Sequence, residues 1–272
     1  MEKIQLKQEK EVELQILLQI DKICREHKIK YFLMRGTLLG AIKYKGFIPW
    51  DDDIDITMSR EDYNRFVKIM AHEKGKSNID IVYTGNSKEY PYTFAKIYDN
   101  RTTLDEIKIA ESIKSKYDLG IYVDVFPLDY VSENGFLRMI KLGTIRLLDI
   151  LRLCAVTDTD KLKNNKCIKF IIKLLKKVLP HHSKFIHWIE VIGEHWQNKN
   201  TNLVGFCNEA QKKQIFPKSY FEETISVSFE EHMFNVSGHY HEILTSLYGD
   251  YTQLPPIDER CTHHVFDAYW KN

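Results

Sequence analysis

The sequence predicts an α+β fold with a mixed β-sheet flanked by helices, and three observations support this. Short segments alternate apolar and polar residues, as half-buried strands do. Between them, apolar residues recur three and four positions apart, which is the spacing of one face of an amphipathic helix. The chain has 272 residues, 43% of them apolar, enough for a large domain with its own core.

The first half of the chain predicts three helices among five strands, one of them following the turn at Gly36. Ile16 and Ile20 lie among charged residues in an amphipathic helix over residues 3–27, which we expect to pack across the sheet. Ser59 begins a second helix as its N-cap, with Asp62 three residues on. The strands are predicted over residues 30–34, 53–58, 79–84, 92–99 and 121–131.

Two carboxylates mark the strand over residues 53–58. Alternation along this strand places Asp53 and Asp55 on one face and Ile54 and Ile56 on the other. Neighbouring carboxylates raise each other's pKa unless a cation lies between them. A divalent cation with oxygen ligands, Mg²⁺ or Mn²⁺, is the simplest candidate. The alternative is a solvated acidic strand end that only caps or solubilises the fold.

Upstream of these acids, Gly36 and Thr37 form a predicted turn between a strand and a helix. Such a turn offers backbone amides and a helix N-terminus to a phosphate. On its own this signal is weak. Together with the Asp53–Asp55 pair 16 residues later, it is the arrangement of a nucleotidyltransferase-type site, in which the turn holds phosphates and the acids hold metal.

A third acid stands in the most apolar strand. In residues 121–131, alternation puts Tyr122, Asp124 and Phe126 on one face. Burying a lone acid there is costly without a partner, so we expect Asp124 to join Asp53 and Asp55 at the metal. The alternative is a hydrogen-bonded structural aspartate. Asp129 follows Pro127 and is expected in a turn.

Two basic residues lie near the end of the strand over residues 92–99. Lys96 and Arg101 could each contact a phosphate there. A lysine or arginine at a strand end is also common as a merely solvated charge, and the sequence leaves both readings open.

Residues 134–184 differ in composition from the rest. They carry 12 Lys and Arg against three Asp, whereas the whole chain has a formal net charge of only +1. Two amphipathic helices with basic polar sides are predicted, over residues 136–153 and 161–180. Such helices suit an anionic membrane surface or a polyanionic acceptor. The alternative is a helical hairpin whose apolar side packs against the core.

Composition also bounds the class of protein. The near-zero net charge gives no global field for nucleic acid, so no nucleic-acid partner is expected. No signal peptide and no long apolar run is evident. The five cysteines are scattered without a C-x-x-C pair, and the paired histidines lack zinc spacing. We therefore expect a reduced, cytoplasmic protein, with a peripheral position at the inner membrane face left open.

The last part of the chain is expected to fold back on the core. A strand over residues 233–236 leads into a helix over residues 239–248, which stops at Gly249. The tail carries Arg260, His263 and His264, which either clamp a phosphate or acceptor or only close the fold. The predicted organisation is a catalytic core over residues 1–132, a helical basic region over residues 133–200, and a returning segment over residues 201–272.

The stretch GTLLGAIKYKGFIPWDDDIDITMSREDYNRF, residues 36–66, resembles the signature of the LicD family of phosphocholine transferases, which is related to the fukutin-related transferases. Further matches cover residues 121–131, 216–223 and 248–264. The resemblance spans most of the chain but leaves residues 133–200 largely uncovered. One departure is Arg35, where many relatives carry a small residue. An arginine pointing into the site would change substrate preference.

The resemblance implies a reaction and a set of partners. Phosphocholine would pass from CDP-choline to a hydroxyl of a lipid-linked or cell-surface glycan precursor, with release of CMP. Mg²⁺ or Mn²⁺ would be held by Asp53, Asp55 and Asp124. Phosphate would lie at Gly36 and Thr37. The alternatives are a CDP-ribitol or CDP-glycerol donor, and a non-catalytic module that binds nucleotide or glycan.

Overall fold

The computed structural model describes residues 1–105, 119–159, 166–195, 200–207, 214–256, 260 and 266–271. The strands in chain order are β1 Glu2–Lys3, β2 Tyr31–Leu33, β3 Asp55–Ser59, β4 Ile79–Val82, β5 Ala95–Asp99, β6 Thr102–Leu104, β7 Tyr122–Val131, β8 Leu203–Gly205, β9 Ile215–Pro217, β10 Thr224–Phe229, β11 His232–Ser237 and β12 Ala268–Trp270. The helices are α1 Leu6–Glu26, α2 Arg35–Tyr44, α3 Arg60–Glu73, α4 Gly135–Val156, α5 Lys166–Leu175, α6 His182–His195 and α7 Tyr240–Tyr248. The α+β prediction is confirmed.

The main sheet is mixed and has β7 near its centre. Its strands follow the order β2-β3-β7-β5-β4, with β8 on the far half of β7 and β9 beside β8. β3 and β7 run parallel, whereas β2, β5 and β8 lie antiparallel to their neighbours. β7 spans ten residues, of which 122–125 pair with β5, 124–128 with β3 and 129–131 with β8. Side chains at the start of β7 therefore meet those at the start of β3.

The helices around this sheet follow the predicted patterns. α1 packs across β5 and β7, as expected from its apolar face. α3 begins where Ser59 Oγ accepts the backbone N–H of Asp62 at 3.1 Å, and it buries Tyr63, Phe66, Val67 and Met70. The cap at Ser59 and the buried side chains of α3 hold the end of β3, the strand that carries Asp55, in place.

The predicted turn at Asp129 is wrong, because Asp129 is a buried residue of β7. Its carboxylate accepts two hydrogen bonds from Arg60, with Nε to Oδ1 at 2.6 Å and Nη2 to Oδ2 at 2.9 Å. Pro127 stays within the strand, paired in register with Met58 of β3. This two-point ion pair joins the start of α3 to the centre of the sheet, and removing one partner would leave a buried charge.

The returning segment packs against the core as expected. The β10–β11 hairpin contacts α2 and β2, and α7 contacts α2. At the hairpin tip, Glu230 N donates to Lys45 O at 2.8 Å and Glu230 Oε1 accepts from Phe47 N at 3.1 Å. The tip thereby holds the loop that precedes the acid cluster. α7 ends at Gly249, whose φ is 73°.

The basic region is helical in its described part. α4 packs along α6, and α5 lies beside α4. Within the described residues, every helix is too short or too polar to cross a bilayer.

Candidate active site

Asp55 and Asp124 are brought together by the register of the parallel pair. Asp55 of β3 is the direct register partner of Asp124 of β7, and Asp124 N donates to Ile54 O at 2.9 Å. Both residues are buried. Asp53 comes just before β3 begins, and its side chain lines the same cleft as that of Asp55. The expected acidic cluster is therefore present at the start of two neighbouring strands.

The segment predicted as a glycine turn is the first turn of α2. Arg35, not Gly36, takes the left-handed backbone, with φ 52°. That conformation costs a residue other than glycine about 1 kcal/mol or more. Gly36 is needed for close approach, because a Cβ there would lie 2.3 Å from Asp51 Oδ2. The helix N-terminus and the acid loop are thus in direct contact.

Thr37 holds the acid strand with its side chain. Its hydroxyl accepts the backbone N–H of Asp55 at 2.7 Å and lies 3.4 Å from Asp53 O, and the residue is buried. Because the hydroxyl of Thr37 is bonded within the protein, the expected contact of Thr37 with phosphate would have to come from its backbone N–H. Met34 N also donates to Asp55 O at 2.9 Å. Both bonds fix the start of β3 against the start of α2.

A cleft of about 830 Å³ opens in front of these residues. One wall consists of Arg35, Gly36 and the acids Asp51, Asp53 and Asp55. The opposite wall is the returning segment from Tyr248 to Pro255, held by Lys43, whose Nζ donates to the carbonyls of Tyr251 at 3.1 Å and Thr252 at 3.0 Å. Four aromatic side chains line the cleft: Tyr44, Trp50, Tyr248 and Tyr251.

The acid cluster is electrostatically unfavourable without a cation. Burial, and then the charge of Asp53, raise the pKa of Asp51 to about 7. Burial and the same charge raise the pKa of Asp55 well above its usual range, while Arg35 acts in the opposite direction. Burial also raises the pKa of Glu13 on α1, with Asp53 and Asp52 contributing. A positive charge among these carboxylates would lower their pKa values again.

Lys96 lies beside Asp124 rather than in the open cleft. The two residues are register partners on β5 and β7, and Lys96 Nζ lies 2.6 Å from Asp124 Oδ1. The ammonium group is 3.4 Å from the ring centroid of Tyr122, and it also faces Tyr92 and Phe94. Lys96 therefore neutralises Asp124 among aromatic side chains, while Asp55, the register partner of Asp124, lines the cleft.

The structure does not bring Arg101 to this cleft. Arg101 forms an ion pair with the buried carboxylate of Asp99 and lies near Trp270, beside a separate pocket lined by residues of α1. In β5, Lys96 pairs with Asp124 while Tyr98 pairs with Tyr122. The strand thus leads away from the acids, and the residues after it emerge at the other end of the sheet.

Arg260 does lie near the cleft. Its guanidinium carbon is 5.5 Å from the ring centroid of Trp50, and its Nε donates to Pro255 O at 2.9 Å. Trp50 and Pro255 both line the cleft, so Trp50 forms part of the cleft wall next to Asp51. His263 and His264 lie outside the described residues.

Arg35 points into the site. Its guanidinium carbon lies 3.9 Å from the ring centroid of Phe126 and 5.1 Å from that of Phe206, and the residue lines the cleft beside Asp55. Stacking on these rings fixes the cation at the edge of the acid cluster. A strained backbone at a residue that faces a cleft is a feature of functional positions.

Sequence reasoning missed Glu13 and the bridge made by Lys43. Glu13 is 3% exposed on α1, and its Oε2 has no hydrogen-bond partner in the described structure. The signal was available, because a glutamate between Val12 and Ile16 falls on the apolar face of the helix. Lys43 gave no such signal, since its partners lie more than 200 residues away.

A divalent cation fits the residues present, with a limited set of protein ligands. Among the described residues, no three acid, histidine or cysteine side chains converge at the spacing of a closed metal site. Mg²⁺ commonly binds one or two carboxylates and completes its shell with water and substrate phosphates. Asp53 and Asp55 on the cleft wall suit this mode, whereas Asp124 is paired with Lys96.

Acidic residues at the start of two parallel strands therefore share a cleft wall with a helix N-terminus, the part of a helix that favours phosphate groups. Comparison with known proteins identifies the family. A family model described as LicD/FKTN/FKRP, nucleotidyltransferase domain, matches residues 28–139. The chain is 32% identical over 272 residues to the lipopolysaccharide cholinephosphotransferase LicD of Haemophilus influenzae, covering 99% of each protein. The chain therefore belongs to the LicD family.

Two further relatives match about half of the chain. An uncharacterised protein of Rickettsia typhi is 31% identical over 137 residues, which are 49% of this chain and 40% of that protein. One from Rickettsia prowazekii is 31% identical over 140 residues, which are 49% of this chain and 47% of that protein.

Proposed function

We propose that this protein transfers phosphocholine from CDP-choline to a hydroxyl of a cell-surface glycan precursor, with release of CMP. The proposal is carried by the full-length similarity to a lipopolysaccharide cholinephosphotransferase. The acid-lined cleft supports it as well. Its carboxylates would repel a diphosphate on their own, but a cation bound by them would attract the diphosphate. The nucleotidyltransferase description of the family model agrees with a core that handles a nucleotide donor.

Asp53 and Asp55 would hold Mg²⁺ or Mn²⁺, with Asp124 as the third acid of the cluster. When bound, the cation neutralises charge on the diphosphate and on the departing CMP. Thr37 holds the backbone at Asp53 and Asp55, so the two carboxylates stay directed at the cleft. Lys96 keeps Asp124 compatible with its buried position beside Asp55.

The start of α2 is the proposed phosphate site. The helix N-terminus favours an anion, and Gly36 leaves room for the acid loop against it. Arg35 adds a fixed cation next to Asp55, able to form two hydrogen bonds with a phosphate. Arg260, whose guanidinium carbon lies 5.5 Å from the ring centroid of Trp50, would contact the donor or the acceptor.

The acceptor hydroxyl must lose a proton as it attacks. A carboxylate that does not bind the cation would take this proton. Asp124 and Asp51 are the two candidates in the described cluster. Asp51 lines the cleft, whereas Asp124 is paired with Lys96. Separate amide substitutions distinguish them, because replacing the base removes the rise in rate that accompanies its deprotonation as pH increases.

The aromatic lining of the cleft supports choline as the head group. A quaternary ammonium binds to the faces of Trp and Tyr rings. Tyr44, Trp50, Tyr248 and Tyr251 all line the cleft, and Asp250 adds a negative charge there. A ribitol or glycerol head group carries no cation and would gain little from these rings.

The test is CMP release from the purified protein over CDP-choline, CDP-ribitol, CDP-glycerol and CDP-ethanolamine, with Mg²⁺ or Mn²⁺ and a glycan extract as acceptor. We expect metal-dependent turnover of CDP-choline, lost in Asp53→Asn. The matched control is Glu26→Gln, an exposed acid at the end of α1. Preference for CDP-ribitol or CDP-glycerol would contradict the choline assignment. Binding of a CDP compound without any turnover would favour a non-catalytic module.

A further inference from the structure

Helix α4 has an unusual distribution of side chains. Two of its four buried residues are basic, Lys141 and Arg152. Lys141 Nζ donates to Tyr130 O at 2.9 Å and to Gly193 O at 3.3 Å, while Arg152 pairs with Asp149. The solvent side carries seven exposed large apolar residues: Phe136, Leu137, Met139, Ile140, Leu147, Ile150 and Leu153. The apolar side of this helix therefore does not pack against the core.

Helix α5 exposes its apolar side chains to solvent even more than α4 does. None of its residues is buried. Ile168, Ile171 and Leu174 lie on one side at helical spacing, and Val178 follows in the turn after the helix. Phe170 is 68% exposed and Val178 is 77% exposed. The predicted alternative, a hairpin that hides its apolar side on the core, is therefore wrong for the described part of this region.

These residues form most of the exposed apolar surface of the described chain. Of 18 large hydrophobic side chains that are exposed, seven belong to α4 and five to α5 and the turn after it. We call this combined surface the α4–α5 face. A concentration of this kind on one part of a protein marks an interaction site.

The charge beside this face is positive. Residues 161–180 contain no acidic residue. At about 100° per residue, the lysines of α5 and its following turn fall within an arc of roughly 100° next to the apolar residues. They are Lys166, Lys169, Lys173, Lys176 and Lys177. On α4, Asp149 is already paired with Arg152.

We propose that the α4–α5 face binds the surface of an anionic phospholipid membrane. The apolar residues would enter the boundary between headgroups and acyl chains, and the lysines would contact lipid phosphates. A second copy of the chain fits less well, because a twofold contact through this face would bring the two lysine rows together without acidic partners. The proposal does not depend on the donor or on the reaction.

Flotation of the full chain with vesicles of phosphatidylcholine, with or without phosphatidylglycerol, tests this. We expect binding to anionic vesicles that weakens with salt. Glutamine at Lys166, Lys169, Lys173 and Lys177 should lower binding about a hundredfold. The charge-matched control replaces Lys7, Lys22, Lys74 and Lys76, all exposed elsewhere, and should bind normally. Equal effects of the two sets would overturn the proposal.

The apolar part is tested by serine at Phe170, Ile171 and Leu174. These side chains are exposed, so the variant should keep the thermal midpoint of the wild type while losing vesicle binding. Light scattering is measured in parallel. A dimer that this variant converts to a monomer, with no vesicle binding by the wild type, would assign the face to a second copy and contradict the membrane proposal.

Discussion

The acidic cleft and the α4–α5 face both place side chains unusually, but in opposite ways. The cleft buries acidic side chains, whereas the face exposes apolar ones. The cleft region buries like-charged carboxylates, with Asp55 and Asp124 as direct neighbours and Glu13 behind them. The α4–α5 face exposes large apolar residues over two helices while α4 buries Lys141. Each arrangement is unfavourable in the isolated chain. In the account proposed above, a cation would relieve the first arrangement and a lipid surface would cover the second.

This comparison indicates where binding, rather than folding, determined the sequence. The buried pair of Arg60 and Asp129 is complete within the chain, so it serves the fold. Asp51 and Asp55 have no such complete partner among the described residues, and burial together with the charge of Asp53 raises the pKa of both.

The largest effect is expected from Asp55→Asn. Because the amide cannot replace a charged cation ligand, transferase activity should fall by about a thousandfold or more. Without metal, the variant should be at least as stable as the wild type, since a buried repulsive charge has been removed. CMP release and thermal unfolding measure the two quantities. A large loss of stability together with the loss of activity would assign Asp55 a structural role.

A smaller effect is expected from Gly36→Ala. The added Cβ would lie 2.3 Å from Asp51 Oδ2, so the acid loop must move away from α2. Activity should fall by roughly ten- to a hundredfold, as for other small displacements of catalytic groups. The matched control is Gly143→Ala in α4, where nothing lies within 4 Å of the new Cβ. It should stabilise the protein by about 0.5–1 kcal/mol without changing the rate.

In the basic region, a buried lysine should matter more to stability than an exposed phenylalanine. Lys141→Met leaves the carbonyls of Tyr130 and Gly193 without this donor and should cost about 1–3 kcal/mol of unfolding free energy. Phe170→Ser, at a side chain that is 68% exposed, should cost less than about 0.5 kcal/mol. Urea unfolding measures both. The reverse order would show that α5 packs against the protein in solution.

The smallest expected effect is on the pH dependence of stability. The pKa of Asp51 is raised to about 7 in the folded protein from an ordinary value of 3.8. Folding therefore favours its protonated form, and this contribution to stability is lost as pH rises through that window. Mg²⁺ at Asp53 and Asp55 would favour the charged form of the neighbouring Asp51, so it should raise the thermal midpoint more at about pH 8 than at about pH 5.5. An equal rise at both values would show that the cation does not affect the titration of Asp51.

Much of the site was predictable, because the alternation of residues along a strand and the sequence of elements along the chain are local signals. Alternation placed Asp53 and Asp55 on one face, and the expected nucleotidyltransferase-type arrangement added Asp124 from a neighbouring strand. The pairing of Lys96 with Asp124 was not visible, because it depends on the register between β5 and β7. Arg101 was expected at the site because the sequence does not show in which direction β5 runs across the sheet.

Other differences arise from long-range contacts. Asp129 was expected in a turn because of Pro127, but its partner Arg60 lies 69 residues away and stabilises a continuous strand. The helices of the basic region were predicted from periodicity, whereas the direction of their apolar faces was not. Periodicity defines an apolar face, but only the packing of α4 on α6 shows that this face is turned to solvent.

The central claim is transfer, and the most direct measurement is mass spectrometry of a glycan extract incubated with the protein, CDP-choline and Mg²⁺. We predict phosphocholine attached to the glycan in amounts equal to the CMP released, and neither product with Asp53→Asn. Equal release of CMP and free phosphocholine, with unmodified glycan, would contradict the account, because the cleft would then hydrolyse its donor instead of transferring phosphocholine.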